Sequence, residues 1–226
     1  IGVRLVGSEM CIRDSPYSDI GMVSAQGGKV INLTNSGYTS GSPRWVLDGN
    51  AILFITERYG MRAHASWGSL NDVMLVFMNQ DAYDKFRLSK EDYELQKELE
   101  KEQKSITETK KNDKKKGDNK NKSEEKKEEK TKDIVVELDN IEDRIVRLTP
   151  NSSDLGSAII TKNGETLYYL SAFEGGYDLW KMNLRKKDTK LLHKMDAGWA
   201  NMEMDKDGKN LFLLGGSSMQ KMSTCL

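Results

Sequence analysis

Three short apolar runs in this chain each follow a turn-forming pair, and the same intervals recur around them. The pairs are Asp48-Gly49, Asn163-Gly164 and Asp207-Gly208, and the runs are Ile52-Leu53-Phe54, Leu167-Tyr168-Tyr169 and Leu211-Phe212-Leu213. Each run begins four residues after the Asp or Asn, and Trp45, Ile160 and Met204 stand three residues ahead of it. Such pairs between β-rich runs signal hairpins, because the turn needs a residue that accepts a positive φ. Two further markers keep step. An acid opens a strand in Asp19-Ile20, Asp72-Val73 and Asp178-Leu179, and a leucine closes one at Leu33, Leu148 and Leu192. From Leu33 to Asp48, Leu148 to Asn163 and Leu192 to Asp207 the interval is always fifteen residues.

The repeat is therefore four strands long, and from Asn163 to Asp207 it spans 44 residues. That length suits the blade of a β-propeller, a small twisted sheet that must stack on its neighbours to bury both faces. The expected fold class is all-β, an incomplete β-propeller of two full four-stranded blades and two half-blades. A β-sandwich, the other all-β reading, does not require equal repeat lengths.

One copy breaks the rhythm twice. Its central hairpin is nine residues longer than its counterpart. Asp72 to Leu148 is 76 residues where the other copies have 14, so 62 residues are inserted between its third and fourth strands. Within the insertion, Ser89-Lys90-Glu91-Asp92 reads as a helix-capping box, and Leu88, Leu95 and Leu99 mark a thin apolar stripe. The sequence predicts a helix from Lys90 to Lys104. From Thr107 to Asp133 there is no apolar residue, so no core can form and disorder is expected. Ile134-Val135-Val136 then predicts a return to β-structure.

The domain reading follows: blades over 16–82, the charged helical and disordered insertion over 83–133, and blades over 134–222. Ile1–Ser15 lacks the pattern of a signal peptide and resembles translated sequencing-adapter read-through, an artefact, and residues 223–226 read as a similar scar.

Charge excludes some functions. The chain has 35 basic and 35 acidic residues. Lys110 to Lys132 holds eleven lysines against six acids, but without aromatic residues to stack on bases it reads as a solvated loop, not a nucleic-acid site. No stretch reaches the roughly 20 apolar residues of a membrane helix. The two histidines, His64 and His193, support no metal site, and no cofactor is implied. His193 takes the repeat position of Thr34 and Thr149, which predicts a turn residue. Gly27-Gly28-Lys29 lacks the flanking residues of a phosphate loop, and there is no Gly-x-Ser-x-Gly elbow. The candidate binding residues are Arg62, His64 and Trp67, on the long hairpin. The structural alternative has Trp67 packed on the blade edge and His64 capping it.

Leu33-Thr34, Pro43-x-Trp45 with Asp48-Gly49, and Glu57-Arg58-x-Gly60 resemble the TolB-type propeller repeat. Arg62 to Asp72 (RAHASWGSLND), Ile141 to Arg147 (IEDRIVR) and Ser171 to Trp180 (SAFEGGYDLW) resemble the propeller region of tricorn-type serine peptidases. The resemblance implies a peptidase parent that degrades oligopeptides, with PDZ-like and catalytic domains elsewhere in the chain and a homo-oligomeric assembly. The propeller would guide or filter peptides. None of that family's catalytic residues maps onto this sequence. The resemblance fits both a cytoplasmic and an exported protein. A TolB-type propeller that only binds proteins or ligands is the alternative.

Overall fold

A computed structural model describes residues 3–6, 17–62, 68–99, 102, 134–216 and 218–223. The chain divides into two units, Ile1–Tyr83 with Ile134–Leu226, and Asp84–Asp133.

The first unit is built of four antiparallel sheets taken in chain order. The first contains β1 (Val3–Val6), β2 (Gly21–Ser24) and β3 (Ile31–Asn32). The second contains β4 (Ser40–Val46), β5 (Ala51–Thr56), β6 (Asp72–Phe77) and β7 (Ile145–Arg147). The third contains β8 (Asp154–Ile160), β9 (Thr166–Ala172), β10 (Tyr177–Asn183) and β11 (Asp188–Ala197). The fourth contains β12 (Ala200–Met204), β13 (Asn210–Gly215) and β14 (Ser218–Ser223). The outer sheets thus have three strands where half-blades of two were expected. The third strand in each comes from the chain ends, because β2 and β13 each have a second edge whose backbone groups take a partner.

The turn pairs sit where the repeat placed them. Gly49, Gly164 and Gly208 have φ of 86°, 71° and 72°, and Gly164 and Gly208 close their turns by donating to the carbonyls of Thr161 and Asp205. Leu33 and Leu148 donate their N–H to the carbonyls of Ile20 and Val73, at 2.8 Å each, tying the last strand of each sheet to the one before it.

Side-chain alternation explains how the sheets stack. Phe54, Ile52, Met74 and Val76 of the second sheet bury against Ile20, Met22 and Leu33 of the first. Period-2 alternation turns Leu53 and Leu75 to the opposite face, where both are also buried. The third sheet lies on that side: Asn71 and Ser153 exchange backbone hydrogen bonds at 2.7 and 3.1 Å, and Leu47 rests over Gly164. Tyr168 and Leu170 of the third sheet then meet Met202, Leu211 and Leu213 of the fourth. The repeat position held by Leu53 and Tyr168 is occupied in the fourth sheet by Phe212, and there it is exposed. Phe212 and Leu214 line an open depression of about 140 Å³ with Met202 and Glu203. Val30 and Trp199 are likewise exposed, as expected of outer sheets, whereas Met204 packs on the core of the last pair. Arg44 of β4 and Glu203 of β12 form an ion pair at 2.9 Å, so the first strands of the second and fourth sheets approach one another.

The insertion leaves after β6, and β7 resumes the same sheet, with Leu75 paired to Val146. Ile134–Val136 is not a strand, which corrects the β-structure expected there. Both edges of β6 are already taken, by β5 and β7, so the returning chain joins no ladder and is held by the Glu137 N–H donating to the Met78 carbonyl and by the Asn79 amide donating to the Val135 carbonyl. Buried Arg144 fixes this re-entry by donating to the carbonyls of Phe77, Asp139 and Glu137. The chain also forms α1 (Gln80–Arg87), which the sequence reading had not assigned.

In the second unit a helix, α2, covers residues 90–99. Its start is the expected cap: the Ser89 hydroxyl accepts the Asp92 N–H at 3.1 Å and lies 2.8 Å from the Asp92 carboxylate. The tract from Thr107 to Asp133, for which disorder was expected, lies outside the described residues. No helix among the described residues is long and apolar enough to cross a membrane.

Candidate functional site

The long hairpin between β5 and β6 departs from the shorter one in the third sheet. Its base is held by Leu70 donating to the Met61 carbonyl at 3.0 Å and by the Arg62–Ser69 bridge. Gly60 is required here, since a Cβ would run into the carbonyl of Leu70.

Arg62 lies at the centre of this end of the sheets. Its guanidinium donates to Glu57 Oε1 at 2.7 Å and sits 5.0 and 4.9 Å from the ring centres of Tyr17 and Tyr38. A cation over an aromatic face gains from the ring's negative charge, here on two sides. Glu57 Oε1 also accepts the Thr39 N–H at 3.1 Å. Burial alone would raise the Glu57 carboxyl, but hydrogen bonds from Ser69 and Thr39 and the Arg62 charge outweigh it and hold the group below its ordinary 4.5. A lowered carboxyl favours the fold above its ordinary value, and the advantage fades as pH falls through the native one. The Glu57→Gln variant is therefore expected to be less stable than the parent at neutral pH. Denaturation midpoints of the two should converge on acidification below 4.5, and a gap that persists would contradict this.

A second group adjoins the first. Tyr59 lies under two guanidiniums, Arg58 at 5.6 Å and Arg147 at 5.2 Å. Arg147 in turn binds Asp72, which is wholly buried, with Nε and Nη2 at 3.0 and 2.8 Å. Asp72 also accepts the hydroxyls of Thr149 and Ser152, both at 2.8 Å. The Thr149 hydroxyl itself takes the Val73 N–H. The first sheet repeats this device: Thr34 donates to Asp19 at 2.7 Å and accepts the Ile20 N–H. In the third sheet the threonine position is His193, and the device changes. Asp178 accepts the N–H groups of Met195 and Asp196 directly, at 2.7 and 2.9 Å, and the strand register shifts. His193 is consequently a mid-strand residue opposite Leu179, which corrects the turn expected there.

Of the predicted site residues, the structure places Arg62 in this cluster, while His64 and Trp67 lie outside the described residues. Sequence reasoning missed Tyr17 and Tyr38, which come from other loops and carry no local signal. Glu57 and Arg147 stood within the strings quoted above, but their partners were not apparent. The surface combines exposed Tyr17, Tyr38, Tyr59 and Met61 with guanidiniums, a composition suited to binding. Among the described residues no group of three or more His, Cys, Asp or Glu could hold a metal.

No protein-family model and no curated protein matches the chain. Solved structures do. The crystal structure of TolB from Acinetobacter baumannii is 11% identical with a TM-score of 0.56, over 97% of this chain and 38% of that one. The four sheets have the fold of TolB-like β-propellers. The same TolB-like arrangement is similar to the crystal structure of the tricorn protease, 7% identical with a TM-score of 0.58, over 98% of this chain and 20% of that one. The chain thus spans 38% and 20% of the lengths of those two proteins.

Proposed function

We propose that this chain is the non-catalytic propeller portion of a tricorn-like serine peptidase that degrades oligopeptides. In this reading the propeller guides peptides along the loops around Arg62 and Tyr59. One observation carries the proposal. The three separated strings that resemble the tricorn-type region meet at the same end of the sheets. Asp72 from the first binds Arg147 from the second, and Asn71 pairs with Ser153, whose hydroxyl lies 2.6 Å from that of Ser171 in the third. Residues so far apart in sequence are held together by one hydrogen-bonded cluster around buried Asp72, Ser153 and Ser171, which gives their joint occurrence a physical reason.

A serine nucleophile needs a positioned base, and the proposal assigns both to a catalytic domain beyond this chain. The purified chain is therefore expected to leave fluorogenic oligopeptides intact. The natural protein, expressed with whatever follows Met222 in its reading frame, is expected to cleave them and to be blocked by a serine-directed inhibitor. A PDZ-like segment and self-association belong to the same reading. Cleavage by the chain alone, or an extended protein without peptidase activity, would overturn it. The second outcome would leave a TolB-type propeller that only binds proteins or ligands, a reading favoured by the exposed Tyr59 and Met61.

A further inference from the structure

The outer edge of the third sheet differs from that of the second. β11 runs ten residues, Asp188–Ala197, where β7 has three. It is the terminal strand of its sheet, bonded to β10 on one side, with no strand beyond it among the described residues. A long free edge presents a row of unpaired N–H and C=O groups that can template another strand. Leu191 and Leu192, adjacent and therefore on opposite faces, are 45% and 37% exposed.

The charge along this edge is net positive, with Asp188 and Asp196 the two acids of the strand. Arg185, Lys186 and Lys187 lead into the strand, and Lys190 and Lys194 lie on it. The nearby acids are engaged: Asp188 is 3.3 Å from Lys190, and Asp196 accepts the Gly176 N–H at 2.9 Å.

We propose that β11 is a docking edge for an extended acidic segment of a partner polypeptide, which adds as a fifth strand. Backbone pairing supplies affinity, Leu191 and Leu192 receive apolar side chains on the two faces, and the lysines select an acidic partner. Lysines on an edge ordinarily repel another strand. Here they would oppose a second copy of β11, whose edge carries the same charge, and attract a carboxylate-rich one. The inference stands apart from the peptidase reading.

The test is anisotropy of a fluorescent nine-residue peptide of alternating Glu and Val, titrated with the full chain. Binding is expected, with slower hydrogen exchange at residues 191–195 and weakening in high salt. The K190E/K194E variant should lose at least about tenfold in affinity, or about 1.4 kcal/mol, and gain affinity for the Lys-Val counterpart. The same Glu-Val peptide N-methylated at every backbone nitrogen, which has no N–H group on either edge, should not bind. Absence of binding by the Glu-Val peptide, equal binding by its N-methylated form, or indifference to K190E/K194E would each overturn the proposal.

Discussion

Replacing Asp72 by alanine is expected to cost about 2–3 kcal/mol, the upper range for removing a charged group that holds several hydrogen bonds. The carboxylate is wholly buried and receives Arg147, Thr149 and Ser152 together. Its loss leaves the buried Thr149 hydroxyl without its acceptor, while the partly exposed Arg147 guanidinium can turn to water. The strands it joins, β6 and β7, are separated by the whole insertion, so no local chain connection holds them together. Asp19 occupies the same place in the first sheet but is partly exposed, and Asp19→Ala should cost less, about 1–2 kcal/mol. Denaturant midpoints at unchanged slope measure both. Equal effects would mean that the Asp72 cluster adds nothing beyond an ordinary hydrogen bond.

The second large effect comes from one repeat position in two sheets. Leu53 is 2% exposed and Phe212 is 36% exposed. Leu53→Ala removes a side chain enclosed on both sides and should cost about 2–5 kcal/mol. Phe212→Ala, despite deleting the larger group, should cost only about 1 kcal/mol, because much of that ring is already in water. The reverse order would place the Leu53 side chain outside the stack and contradict the order of sheets.

Most of the fold was legible because hairpin chemistry is local. Asp48-Gly49, Asn163-Gly164 and Asp207-Gly208 each supply a positive φ within two residues, and the apolar runs follow at fixed distance. Equal spacing then revealed the four-stranded unit and located the insertion between β6 and β7. Composition misled at Ile134–Val136, where β-forming side chains had no free strand edge to join. It misled again at His193, because an aspartate can bind backbone N–H groups in place of a threonine hydroxyl, and the register moves when it does. The candidate site was less legible. Arg62 drew notice as a charged residue on an unusual loop, but Tyr17 and Tyr38 reach it across 45 and 24 positions of sequence, and no spacing rule links them.

The central claim is that one propeller blade is completed by a strand supplied from beyond the insertion. Leu75 and Val146 are direct cross-strand partners in that blade. Antiparallel partners lie about 4.5–5.5 Å apart between Cα atoms, within reach of a disulfide. The measurement is oxidation of a Leu75→Cys/Val146→Cys chain in which Cys11 and Cys225 have been changed to serine. A cross-linked monomer with native circular dichroism is predicted. A control with cysteines at Leu75 and Val135 should not cross-link, because residue 135 lies outside the sheet. Failure of the Leu75/Val146 pair to bridge in the folded chain, or equal bridging by the control, would contradict the account.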